Sequence, residues 1–487
     1  MFNEPLAVTG LTLLAAEPLS QLVRTLMRSM TYYGYRTASI YSAKAQCLWR
    51  LHMGERGLLL LPEELLIEIV KELDWYHLLA VRQTCKRLFL VSKSLPVWQN
   101  VVEREPHETL WLECPLRNYT AERLEYLFMR RKKAEERIIQ GKEPHRTSIP
   151  TNCRDLREAA VHLVHGGRWL LVATRRGSLL YFDLDAQHHV AHILIPERGD
   201  DYSVGMAVDI DLTAPCLSFK VALARQNVNG SGGIVEVWQV DLILGGNKQG
   251  VGLRAEGLAS FGQEINGHLQ MLSLLGEQLA MTIFHHPHLL AYTIIISWRS
   301  VREPNYPKRV HRPESDGCAV RFLQPNIFVS VFDGLLTLTS RLSLPKSIPF
   351  LAIPFYDARP ETLSERIVFH DSVRFLVAVG ATICAIILRD QGDGHYHAET
   401  IKISNLPQIP YSTHASHSAD YYAVWPMGQP LVIQRFSWDD GNDIDSPAAL
   451  INVCDTDEPA FQLLDIISGR ILVEDERGLA LFDFAFS

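Results

Sequence analysis

A strand-like run, a short turn and a second strand-like run recur along the chain from Arg168 to Ala485. "RWLLVATRRGSLLYFDLD" is the plainest copy. It is followed by "LSFKVALARQNVNGSGGIVEVWQVDL", "QLAMTIFHHPHLLAYTIIISW", "NIFVSVFDGLLTLTSRL", "RFLVAVGATICAIILRD", "YYAVWPMGQPLVIQRFSW" and "GRILVEDERGLALFDFA". The copies begin at Arg168, Leu217, Gln278, Asn326, Arg374, Tyr421 and Gly469, so successive starts lie 49, 61, 48, 48, 47 and 48 residues apart. A lone hairpin cannot bury both faces of its sheet. Copies stacked on one another can, and they leave only short edges in water. An interval this even has room for an extra strand or two between hairpins, which is the signature of propeller blades. The pattern predicts a β-propeller-like domain over residues 156–487 with about seven blades. Six or eight remain open because strands outside the hairpins are weakly marked. A pair of β-sandwiches is the alternative, and it needs no such even period.

The N-terminal third reads differently. In "LPEELLIEIVKELDWYHLLAVRQTCKRL", Leu61 to Leu88, apolar residues fall at helical spacing. Pro62 suits the first turn of a helix carrying Leu65, Leu66, Ile69, Val70 and Leu73. Asp74 is expected to cap a second helix with Leu78, Leu79 and Val81, and Thr84 a third with Cys85, Leu88 and Phe89. Pro96 opens a last helix holding Trp98, Val101 and Val102. Together these form a helical unit over 58–105. Residues 1–57, basic and poor in acids, read as a poorly ordered or loosely docked extension, with a transit peptide as the lesser alternative. Residues 106–155 read as a helical linker. Thr120 caps a helix from Ala121 to about Gln140, which Gly141 and Pro144 stop. Its run "RRKK", Arg130–Lys133, is expected to be a solvated face rather than a nuclear signal or a nucleic-acid patch. The fold class is therefore α+β multidomain, a small all-α unit followed by an all-β propeller.

The ordered set Leu61-Pro62, Glu64, Leu65, Ile69, Leu73, Leu78-Leu79, Arg82, Thr84-Cys85-Lys86-Arg87-Leu88 and Trp98 resembles the F-box. With the β-rich region after it, the chain resembles fungal-type F-box proteins that carry a C-terminal propeller-like region. The resemblance implies an adaptor partner, the adaptor subunit of an SCF-type cullin–RING ubiquitin ligase, and through it cullin. It implies adaptor-binding roles, by contact or by shaping the surface, for Leu61, Pro62, Leu65, Ile69, Leu73, Leu78, Leu79, Arg82, Cys85, Leu88 and Trp98. A unit this small buries little surface by itself, and its surplus aliphatic residues gain by burial against a partner. A self-contained helical core is the competing explanation of the same leucines. The modules lack regular Gly-His and Trp-Asp dipeptides, so no WD-type blade is assigned.

Composition bounds the remaining functions. Apolar residues are 47% and charged residues 21% of the chain, which favours a folded body over disorder. A net charge of -8 argues against binding nucleic acid through a basic surface. No apolar run is long enough to span a bilayer, and a cytoplasmic or nuclear location is expected. The eight cysteines are never closer than 29 residues, which fits neither metal ligation nor a disulfide framework and predicts free, mostly buried thiols. No cofactor, metal or catalytic set is expected. "VHGGRWL" lacks a G-x-S-x-G partner, "GVGLRAEG" lacks a following helix, and "HHPH" at His285–His288 lacks further ligands. The loop Arg299–Gly317 has five basic residues, with Arg299, Arg302, Arg309 and Arg312 as phosphate candidates. Trp438–Pro459 has seven acidic residues and no basic one, and its aspartates miss the spacing of a Ca²⁺ loop. Both are expected to be solvated. The function that follows is a non-catalytic substrate receptor whose propeller binds an unknown target protein. The alternatives are a propeller enzyme or ligand-binding module, and a ligase-independent scaffold.

Overall fold

In the computed structural model the described residues are 61–105, 111–149 and, from 160 onward, the strands with many of their turns. Residues 1–60, 106–110, 150–159 and several longer connections, among them 341–350, 436–448 and 452–460, lie outside that description. The N-terminal extension and most of the acidic loop therefore fall outside it. So do His286 and His288 and the side chains of Arg302, Arg309 and Arg312. The chain divides into two compact units. One holds residues up to 107 together with 119–128, and the other holds 108–118 and 129–487.

Among the described residues, seven antiparallel sheets belong to the second unit. The first comprises Ala160–Leu163, Trp169–Ala173, Leu179–Asp183 and His192–Ile195, and the second Tyr202–Ile210, Ser218–Asn227, Gly232–Leu244 and Gly250–Glu264. The third comprises His268–Leu275, Gln278–His285, Leu290–Ser297 and Arg309–His311, and the fourth Ala319–Gln324, Ile327–Phe332, Leu335–Ser340 and Leu351–Pro354. The fifth has Pro360–Leu363, Ser372–Val379, Thr382–Asp390 and Tyr396–Asn405, with Ile367–Val368 as a short added piece. His414–Ser418, Tyr421–Trp425, Leu431–Arg435 and Ala449–Ile451 form the sixth, and Phe461–Asp465, Arg470–Asp475 and Gly478–Asp483 belong to the seventh. Each hairpin read from the sequence is the middle pair of strands of one sheet. The first strand of every sheet lies beside the first strand of the next, and Phe461–Asp465 returns to Ala160–Leu163, so the order of neighbours closes on itself as in a propeller.

Burial explains why the middle strands were conspicuous. Trp169–Ala173 is buried at every position. Leu171 and Ala173 pack toward Phe219, Val221 and Leu223 of the second sheet. Leu170 and Val172 pack toward Leu472, Leu479 and Leu481 of the seventh. Alternate side chains thus feed opposite interfaces, and a strand covered on both faces becomes a continuous apolar run.

The fourth strand of the seventh sheet comes from far upstream. His145–Ser148, within the stretch read from sequence as linker, pairs antiparallel with Gly478–Asp483, His145 opposite Asp483 and Ser148 opposite Ala480. A network of charges lies at the same junction. Arg470 Nε donates to Asp483 at 3.1 Å, and its two terminal nitrogens donate to the carbonyls of Gly167 at 2.6 Å and Leu184 at 2.7 Å and to Asp185 at 2.9 Å. Arg130 joins Asp185 at 2.9 Å and also bonds Asp483. Two guanidinium groups and two carboxylates thereby tie the seventh sheet to the first.

Arg130 corrects the expectation of a solvated "RRKK" face. It is buried, Arg131 and Lys132 are half-buried, and only Lys133 of the four is exposed. Lys132 also sits 3.8 Å from Glu135. The same helical segment packs closely on the last sheet. A Cβ on Gly469, whose φ is +69°, would lie 2.2 Å from the Ala134 Cβ.

Removing one cation from a buried charge network leaves the remaining cation facing two carboxylates, with one buried charge uncompensated. Arg470→Leu is expected to destabilise the sheet-rich unit by about 3–5 kcal/mol. Urea unfolding followed by tryptophan fluorescence checks this, and an unchanged midpoint contradicts it.

Candidate functional site

The helical unit is built from α1 (Glu63–Lys71), α2 (Trp75–Arg82), α3 (Lys86–Ser92) and α4 (Leu95–Glu103), joined by the first part of α5 (Ala121–Ile139). Pro62, with φ of −52°, precedes α1, and its carbonyl accepts from Leu66 N at 3.1 Å. Glu63 and Glu64 in the first turn and Lys71 in the last complement the helix dipole. Asn100 Nδ2 donates to the Lys71 carbonyl at 2.7 Å and so satisfies an orphan acceptor at the end of α1.

Asp74 caps α2 as expected, accepting from His77 N at 2.8 Å, and its carboxylate also meets the His77 ring at 2.8 Å. Partial burial pushes the Asp74 carboxyl up. The hydrogen bonds from the His77 backbone and ring outweigh this and hold it below its ordinary value of 3.8. Thr84 does not cap α3. Cys85 occupies the cap position without a side-chain bond, and the Thr84 hydroxyl instead donates to the Val81 carbonyl at 2.8 Å. The hydroxyl satisfies an acceptor at the end of α2 rather than a donor at the start of α3.

The unit has its own core. Leu66, Val70, Leu73, Leu78, Val81, Leu88, Val91, Val97, Trp98, Val101 and Val102 are buried in it. Phe128 of α5 stands 6.0 Å from the Trp98 ring and 6.3 Å from that of Trp75. Arg82 is an internal strut. Its Nε donates to Ser92 Oγ at 3.0 Å, its guanidinium pairs with Glu125, and it lies over the Trp98 and Phe89 rings at 5.7 and 5.9 Å.

The residues singled out in the sequence therefore separate into groups. Leu73, Leu78, Leu88 and Trp98 are core. Leu61, Ile69, Leu79, Arg82 and Cys85 are half-buried. Pro62 and Leu65 are exposed, Leu65 to 44%. Two further apolar residues of α3 are exposed: Phe89 at 39%, read from the sequence with Cys85 and Leu88 as part of that helix's apolar side, and Leu90 at 58%. The signal was present in the sequence. Four consecutive apolar residues, "LFLV", in a seven-residue helix cover every face, so some must turn away from the core. Exposed Lys86, Arg87 and Lys93 flank this pair on α3 and just beyond it, with Lys93 Nζ 4.8 Å from the centre of the Phe89 ring. The outward side of α3 is thus apolar with a basic rim.

Among the described residues, no group of three or more His, Cys, Asp or Glu is placed to hold a metal ion. No helix there is long and apolar enough to cross a membrane. "VHGGRWL" forms a tight turn between strands, and "GVGLRAEG" lies within the strand Gly250–Glu264. Arg299 pairs with Glu277 at 2.9 Å.

Residues 58–104 match the model of the F-box-like family. An F-box-like segment suggests an adaptor-binding role in SCF-type complexes, and proteins carrying one are typically non-catalytic. A sequence comparison with curated proteins finds no match. Among solved structures, the chain is similar to the WD40 domain of SCAP from fission yeast at 9% identity and a TM-score of 0.37, over 67% of this chain and 82% of that one. It is also similar to AofleA from Arthrobotrys oligospora at 12% identity and a TM-score of 0.35, over 64% and 91%. Both scores are below 0.5, and the architecture rests on the strand pairings themselves.

The Asp74 cap gives a direct check on α2. Asp74→Ala is expected to cost about 1 kcal/mol. Because the folded carboxyl titrates below 3.8, its contribution is fully present above that value and is lost as pH falls through the lower, folded one. Denaturant midpoints of the two proteins at pH 7 and in strong acid should differ in the first case and converge in the second.

Proposed function

We propose that this chain is a substrate-receptor subunit of an SCF-type cullin–RING ubiquitin ligase. The helical unit docks the adaptor, and the seven-sheet body receives the target protein. The observation that carries this reading is apolar surface left exposed on a unit that has a buried core of its own. Leu66, Val70, Leu78 and Trp98 lie in the interior, while Leu65, Phe89 and Leu90 remain outside. The F-box-like match covers these same helices.

The energetics favour docking on that side. Each buried leucine or phenylalanine side chain contributes roughly 1.5–3 kcal/mol by area, and the sum is reduced by the cost of association. Lys86, Arg87 and Lys93 around the apolar centre favour an acidic rim on the partner and faster encounter with it. Leu73, Leu78, Leu88 and Trp98 act from within by fixing the shape of the docking surface. Leu61, Pro62, Leu65, Ile69, Leu79 and Cys85 supply contact area. Arg82 holds α2, α3 and Trp98 in register.

No covalent step is assigned to this chain. It raises the effective concentration of a target lysine near a charged ubiquitin-conjugating enzyme, which converts an encounter into a positioned reaction.

Titration calorimetry with purified adaptor tests the reading. Wild type is expected to bind, and Leu65→Asp with Leu90→Asp to weaken binding at least 100-fold, about 2.7 kcal/mol, with an unchanged thermal transition. Absence of binding by wild type, or equal binding by the double variant, contradicts it.

A further inference from the structure

The segment Trp111–Cys114 is anchored on the first two sheets of the sheet-rich unit. Glu113 accepts from Trp169 Nε1 at 2.6 Å and from Arg168 at 2.8 Å, and Arg168 is itself held by Asp183 at 2.8 and 3.0 Å and by the Gly250 carbonyl at 3.0 Å. Trp111 stands edge-on to His165 at 5.5 Å. The Leu217 amide donates to the Glu113 carbonyl at 2.7 Å. That bond draws together the chain at Cys114, next after Glu113, and at Cys216, just before Leu217. Both are free thiols, Cys114 buried and Cys216 half-buried, and their side chains are in hydrogen-bonding contact. Thiols already in contact need little backbone movement to be bridged.

We propose that Cys114 and Cys216 are an oxidation site, a thiol pair that closes to a disulfide when hydrogen peroxide reaches the more accessible Cys216. The Cys216 sulfur, as thiolate, attacks one peroxide oxygen. An S–O bond forms, the O–O bond breaks, and the departing hydroxide takes up the released proton as water. The Cys114 sulfur then displaces the oxygen from Cys216. The S–S bond forms, the S–O bond breaks, and hydroxide leaves with the Cys114 proton as a second water. Two thiols give up two electrons, and one peroxide becomes two waters.

The surroundings set the pace of the closing step. Burial above all, then the hydrogen bond and charge of Cys216 and the charge of Glu113, push the Cys114 thiol up to about 12. It remains protonated at neutral pH, so the closing step accelerates as pH rises. The bridge closes a long loop and fixes the residues just before Tyr119 to the second sheet. It is therefore expected to raise the thermal transition of the oxidised chain reversibly. This inference does not depend on the adaptor reading.

The test uses the full chain, reduced, exposed to hydrogen peroxide, blocked with N-ethylmaleimide and mapped by mass spectrometry without reduction. The expected product is a linked pair of peptides containing Cys114 and Cys216, with loss of two hydrogens from the intact mass, reversed by dithiothreitol. In Cys114→Ser, Cys216 sulfenic acid trapped by dimedone is expected to rise several-fold over wild type. The proposal is overturned if wild-type Cys216 proceeds to sulfinic acid without the linked peptide, if either cysteine bridges elsewhere, or if dimedone labelling is equal in the two proteins. Should Cys114→Ser fail to fold, the wild-type peptide map decides alone.

Discussion

A four-stranded sheet made of strands like Trp169–Ala173 has no face it can show to water. Sheets of this kind must be covered on two sides, and a closed succession of sheets covers them. The junction of last and first sheets therefore governs the whole unit. His145–Ser148 closes it through the backbone, and Arg470, Arg130, Asp185 and Asp483 close it through side chains. Such a buried network gains less than its Coulomb energy suggests, because four ions were taken out of water. A misplaced neighbour would leave those charges unpaired, which disfavours closure in another order.

The smaller unit solves a different problem. It is too small to hide all its apolar residues, and it fills one interior with Leu66, Val70, Leu78, Val81 and Trp98 while leaving Leu65, Phe89 and Leu90 outside. Arg82 crosses between helices, bonded to Ser92 and Glu125, so the exposed residues are presented on a braced frame. A braced surface loses little conformational freedom on association, which favours affinity over adaptability.

Much of this was legible from the chain because burial on both faces writes long apolar runs. The seven hairpins appear in the sequence for that reason, and Asp74 was legible as a cap because its chemistry is local. What could not be read was non-local or polar. "HRTS" at 145–148 is almost wholly exposed and carries no strand-like alternation of apolar residues, yet it completes a sheet through backbone bonds alone. Arg130 sits in a basic run, and its carboxylate partners are 55 and 353 residues away. Leu65 and Leu66 are neighbours with opposite fates, since the family pattern names positions without saying which side of α1 the core takes. Phe89 and Leu90 were obscured in the same way: an apolar residue in a short helix reads as core until its exposure is seen.

The central claim is that the outward side of α1 and α3 is a surface made to be covered by the adaptor. Hydrogen–deuterium exchange of the full chain, with and without saturating adaptor, tests it most directly. The account predicts slowed exchange concentrated in peptides spanning residues 61–92. Exchange there that is unchanged by the adaptor, or protection confined to the sheets, would contradict it.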